Sequence, residues 1–93
     1  MHLIGIEIHL RFQYLESLKD KRRIIKSILD KTRYKYHVSS SEVGHLDSLI
    51  ESSIGFGVVS NSRVHAEKVL QNVINYIDTL SEVEILTIEW IEA

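Results

Sequence analysis

Apolar and polar side chains take turns along the first dozen residues of the chain. From His2 to Phe12, Ile4, Ile6, Ile8, Leu10 and Phe12 share one parity, and Glu7, His9 and Arg11 share the other. Period-two patterning of this length marks a strand with one buried face and predicts β1 over His2–Phe12. From about Ser17 the period lengthens. Leu18, Ile25, Ile28, Leu29, Thr32 and Tyr36 fall within one arc of a 3.6-residue wheel, which predicts helix α1 from about Lys19 to Tyr36. Ser17 stands where an N-cap is needed, three residues before Asp20, an acid suited to the positive end of the helix dipole.

The next segment, His37–Gly44, is compatible with a strand but clean on neither parity: Val38, Ser40 and Glu42 alternate with Ser39, Ser41 and Val43. That mixture suits an edge strand, β2, where burial is partial and polar residues discourage sheet-to-sheet pairing. Gly44–Leu49 reads as the connection. Over Ser52–Ser60, Ile54, Phe56 and Val58 alternate with Ser53, Gly55, Gly57 and Val59, predicting β3. Ser60-Asn61-Ser62 is rich in cap formers, and Ala66, Val69, Leu70, Val73, Ile77 and Leu80 form the apolar stripe of helix α2. Val83–Ile91, rich in Val, Ile and Thr with Trp90, closes the chain as β4.

The order β-α-β-β-α-β predicts an α+β, ferredoxin-like two-layer sandwich occupying residues 1–93 as one domain. Right-handed crossovers lay both helices on one face of a four-stranded antiparallel sheet, with β1 and β3 central and β2 and β4 at the edges. A chain of 93 residues buries a modest share of its surface, so association with a second copy would help it. The absence of Cys excludes disulfides, thiolate zinc sites and thiol catalysis. No apolar run approaches a membrane span, and Met1 leads straight into the alternating segment rather than into a signal peptide, so the expectation is a cytoplasmic protein.

Charge changes this picture most. Eight basic residues lie between Lys19 and Lys35, against two acids, Asp20 and Asp30, giving the helix +6. The rest of the chain holds Arg11, Arg63 and Lys68 against eleven acids and carries −8, which the net charge of −2 conceals. On the wheel Lys19, Arg22, Lys26 and Arg33 follow one flank of the apolar arc, Lys31 and Lys35 the other, and Arg23 points away. A basic helix flank is the footprint of a polyanion binder, because Lys and Arg displace counterions from phosphates. The phosphate-contacting candidates are therefore Lys19, Lys21, Arg22, Arg23, Lys26 and Arg33. Two plainer readings compete: good helix formers on a solvated face, and pairing with the acidic surface of another copy.

Other motifs weigh less. Gly55-Phe56-Gly57-Val58-Val59 is similar to the middle of the RNP1 motif of RNA-recognition domains. The later aromatic positions are Val58 and Asn61, however, and no aromatic stands mid-β1, so Phe56 reads as core or interface. Five His (His2, His9, His37, His45, His65) show no H-x-x-x-H pair, and only His45 with Asp47 is locally suggestive; a polar loop pair is the simpler reading. Ser39-Ser40-Ser41 lacks the G-x-S-x-G context of a nucleophile elbow. Acylphosphatases share this length and topology but need a Gly-rich phosphate loop after β1, and Leu10–Leu15 contains no Gly. Amino-acid-sensing ACT domains also share the topology, but they accompany a catalytic domain. No catalytic constellation, metal set or cofactor motif emerges, and a non-enzymatic protein is expected.

Ser17-Leu18-Lys19-Asp20-Lys21-Arg22, Val38-Ser39 with Glu42-Val43, and Ser60-Asn61 together resemble the YlxP-like family, a bacterial family of unknown function of about this length. The chain departs from it at Gly44-His45-Leu46-Asp47-Ser48-Leu49, where the family more often carries a Gln-Asp-Leu-Trp-like run, and at Ser40, which replaces an apolar residue. The resemblance implies the ferredoxin-like fold. It also implies a link to RNA or ribosomal particles, since genes of the family often lie beside those for translation initiation and ribosome maturation. The alternative partner is a second copy of the chain, bound through the open sheet face or an edge strand, where Trp90 of β4 is the candidate anchor.

Overall fold

The computed structural model describes residues 1–93. Its elements are β1 His2–Phe12, α1 Leu18–Tyr36, β2 Ser39–Gly44, β3 Glu51–Ser60, α2 Arg63–Asp78 and β4 Val83–Glu92. One antiparallel sheet has the order β2-β3-β1-β4, with β1 paired on both sides. This is the ferredoxin-like arrangement, and β2 and β4 are its edges.

The register follows from the alternation. Ile6 stands opposite Phe56 and Trp90, and Ile8 opposite Ile54 and Ile88, so the apolar parities of three strands meet on one face. The helices cover that face, and a core of 16 buried residues joins β1, β3 and the inner sides of α1 and α2. Each CH2 placed in such a core contributes about 0.8 kcal/mol. Helix α1 begins at Ser17, whose Oγ accepts from the Asp20 N–H at 3.2 Å. It ends one residue into the stretch expected to be strand: His37 adopts φ 55° and donates its N–H to the Arg33 carbonyl at 3.1 Å. A left-handed residue closes a helix and cannot open a strand, so β2 starts at Ser39. Two bulges interrupt the ladders, at Val43 in β2 and at Leu86 in β4.

The most informative core residue is a lysine. Lys21, Ile25, Ile28 and Thr32 are the buried residues of α1, spaced as one stripe, and Lys21 is only 1% exposed. Its ammonium donates to the carbonyls of His45 and Ser48, each at 2.7 Å, and sits 3.2 Å from Glu42 Oε2. All three of its donors thereby have acceptors, which is the condition for burying a charge without a large penalty. Glu42 is satisfied in turn by the Ser52 hydroxyl at 2.6 Å. The Phe12 ring lies 5.9 Å from the ammonium. One side chain therefore ties the start of α1 to β2 and to the β2–β3 turn.

On the other face of the sheet, Gly5 pairs with Gly57, and Gly55 follows on the same strand. The two paired glycines differ physically. A Cβ at Gly5 would come within 3.0 Å of the Phe56 carbonyl oxygen, whereas one at Gly57 would meet nothing within 4 Å, and neither residue has a positive φ.

Two stability outcomes follow. Lys21→Ala leaves Glu42 and two turn carbonyls without their cation, and urea denaturation should show a loss of about 3–5 kcal/mol. Gly57→Ala should stabilise by about 0.5–1 kcal/mol, as expected for a strand-interior glycine with free space, while Gly5→Ala should destabilise; equal signs for the two would contradict the packing described.

Candidate nucleic-acid interface

Helix α1 presents its charge in three different conditions. Lys21 belongs to the core and cannot reach a phosphate, so it leaves the set of six expected contacts. The signal was present in the spacing, since Lys21 lies four residues before Ile25 and seven before Ile28 on the apolar stripe.

A second group is exposed but engaged. Arg33 donates to the Ser40 carbonyl on edge strand β2. Arg23 pairs with Asp20 at 3.3 Å, and Lys26 with Asp30 at 2.8 Å. The hydrogen bond from Lys26 holds the Asp30 carboxyl below its ordinary value; desolvation opposes it, and the charges of Lys26 and then Arg33 add to the lowering. Both helix pairs are surface pairs, which are worth little and are easily exchanged for a better anion.

Lys19, Arg22, Lys31 and Lys35 form the third group. They are exposed and make no ion pair. Lys35 does approach the Tyr36 ring, 5.4 Å from its centroid. Among these cations stands Tyr34, 86% exposed, an aromatic ring with nothing of its own fold to cover it. Composition alone did not single it out. Its position on the polar side of the wheel, opposite the Ile25–Ile28 stripe, is the signal that could have done so.

The opposite layer has the opposite sign. The strand register puts Glu7, Glu51, Glu84 and Glu89 on the open side of the sheet, with Arg11 as their only basic neighbour on these strands. Phe56 faces the helices and is 3% exposed, so the RNP1-like stretch supplies no stacking ring to the open face. An acidic sheet without aromatics repels a nucleic-acid backbone and offers its bases no platform. The helix layer is the polyanion-compatible side. No helix is long and apolar enough to cross a membrane.

The chain is 45% identical over 76 residues to the uncharacterized protein YlxP of Bacillus subtilis (strain 168), an alignment covering 80% of this chain and 83% of that one. The model of the family described as "Protein of unknown function (DUF503)" matches residues 4–90. With nearly its whole length accounted for in this way, the chain belongs to the DUF503 family of YlxP-like proteins.

Proposed function

We propose that this protein is a non-enzymatic module that binds RNA, free or within ribosomal particles, through the outer surface of α1. The observation that carries the reading is the segregation of charge between layers: a helix of +6 with unpaired Lys19, Arg22, Lys31 and Lys35 on one side, and four glutamates on the other. Arg23, Lys26 and Arg33 stand among them in weak contacts that a phosphate can replace. Tyr34 adds a ring on which an unpaired base can stack, a contact worth about 1–3 kcal/mol per base. The genomic setting implied by the family resemblance points to the same class of partner.

Single-stranded RNA should bind with an affinity that falls steeply with salt, by a log–log slope of roughly 0.7–0.9 per phosphate neutralised. Replacing Arg22, Arg23 and Lys26 together by Glu should abolish retention in a filter assay, with Lys68→Glu on α2 as the control. Retention that survives the triple change sinks the reading. Tyr34→Ala should weaken single-stranded RNA by roughly tenfold or more and leave duplex RNA nearly unaffected, as loss of one stacked base requires.

A second reading, association of two copies, rests on the bare centre of the open sheet face. Gly5, Gly55 and Gly57 leave a shallow depression there, bordered by the exposed side chains of Leu3, Val43 and Ile91. Light scattering decides it: a strict monomer at the highest attainable concentration removes this reading and leaves the first untouched.

A further inference from the structure

On the acidic face, at the end of the sheet away from the glycine depression, three metal-ligating side chains converge. His9 comes from β1, Glu51 from the start of β3, and His45 from the turn between β2 and β3. One donor atom from each lies within 4.8 Å of the others. His9 Nε2 stands 3.1 Å from Glu51 Oε1, and His45 Nδ1 stands 3.9 Å from Glu51 Oε2. The two imidazoles are stacked, with centroids 4.9 Å apart and planes 7° from parallel.

Three observations distinguish this group from a chance meeting of polar side chains. First, His9 Nε2 is shut off from solvent yet forms no hydrogen bond, although the carboxylate oxygen is close. Glu51 Oε1 is its one polar neighbour, close but without the alignment of a hydrogen bond, and a cation lying between nitrogen and oxygen would satisfy both. Second, the backbone is shaped to bring His45 in. Gly44, just past the bulge at Val43, lies opposite Ser53, where a Cβ would come within 3.1 Å of the serine Cβ. His45 itself holds φ 56°, a left-handed conformation that costs a non-glycine residue of order 1–3 kcal/mol and persists only where its surroundings enforce it. Third, those surroundings are built. Lys21 holds the His45 and Ser48 carbonyls, the Ser48 N–H donates back to His45 at 3.0 Å, and the Ser48 hydroxyl accepts from the Ile50 and Glu51 N–H groups. Both ligands beyond β1 therefore ride on one pinned turn.

We propose that His9, His45 and Glu51 bind one divalent transition-metal ion of the Zn2+ class. Two imidazoles and one carboxylate are the donor types such an ion takes, at about 2.0–2.2 Å, with a fourth position left for water. Tetrahedral neighbours at that distance lie about 3.3–3.6 Å apart, so the spacing suits the set. An imidazole binds in its own plane, and the half-exposed His45 ring must turn out of its stack on His9 to aim Nδ1 at the ion, with a smaller rotation of Glu51. Their side chains are 43% and 38% exposed, which gives the ion a way in and the water its place. Arg11 pairs in register with Glu51 but makes no ion pair with it, and both carboxylate oxygens remain turned to the histidines. The ligands are one negative charge and two neutral rings, so the occupied site carries +1. The same sheet face holds Glu7, Glu84 and Glu89 against Arg11, so it favours a cation. This site is independent of the RNA reading, from which it is separated by the sheet.

The test is titration of the full chain with Zn2+ by calorimetry, together with the visible spectrum of the Co2+ form. One ion per chain is expected, with d–d absorption of a four- or five-coordinate N,O site. His45→Asn is the informative variant, because asparagine tolerates the left-handed conformation and keeps the turn. It and Glu51→Gln should each weaken Zn2+ by more than the roughly 10–100-fold that loss of an outer partner costs, while His65→Asn on α2 changes nothing. Absence of saturable 1:1 binding overturns the proposal. So does binding that His45→Asn and Glu51→Gln leave intact, which would place the ion elsewhere.

Discussion

The burial of one ammonium group organises one end of this molecule. Lys21 sits in the apolar stripe of α1 at a depth where an unpaired charge would be prohibitive, and three acceptors make it tolerable: two backbone carbonyls and Glu42. Because those carbonyls belong to the β2–β3 turn, the helix cannot dock without shaping the turn. Ser52 and Ser53 extend the effect through the sheet. The first faces inward and bonds Glu42; the second faces the open side, opposite His9, and is 6% exposed there. An ion pair on the helix side thus supports a ligand-bearing turn on the other.

A buried pair of this kind adds little net stability over apolar residues of the same shape, because desolvation offsets the attraction. What it supplies is geometry. The turn residues Leu46, Leu49 and Ile50 are exposed and provide no apolar anchor of their own. The turn is held instead through the His45 and Ser48 carbonyls, both bonded to the Lys21 ammonium, and a hydrogen bond to a charged group constrains direction more tightly than an apolar contact does.

Most of the fold was legible in the chain because it rests on periodicity. The parity of Ile4 to Phe12 sets the central strand and its inward face, and the stripes of α1 and α2 set which sides pack. The strand order then follows from handedness and short connections. What was not legible involves residues acting against their type or across the sequence. Lys21 reads as a cation, and only its place on the stripe betrays that it is core. His37 reads as part of an irregular strand, yet its left-handed backbone ends a helix. The cluster of His9, His45 and Glu51 draws on three separate elements, and no local spacing announces it: the bulge at Val43 decides whether His45 reaches the sheet face at all. Tyr34 is marked only by its place on the polar side of the wheel, a weak signal beside the apolar stripe opposite it.

If α1 meets a polyanion as proposed, the separation of charge between the two layers also bears on how many copies that polyanion can hold. A protein that meets phosphates with its helices turns a row of glutamates outward. The covered stretch then presents a fresh negative surface rather than a neutralised one. A further copy arriving helix-first is attracted by that surface, while one arriving beside it on the strand gains nothing from its neighbour's sheet. On that reading, growth outward in layers and spread along the strand would be governed by different parts of the same small domain.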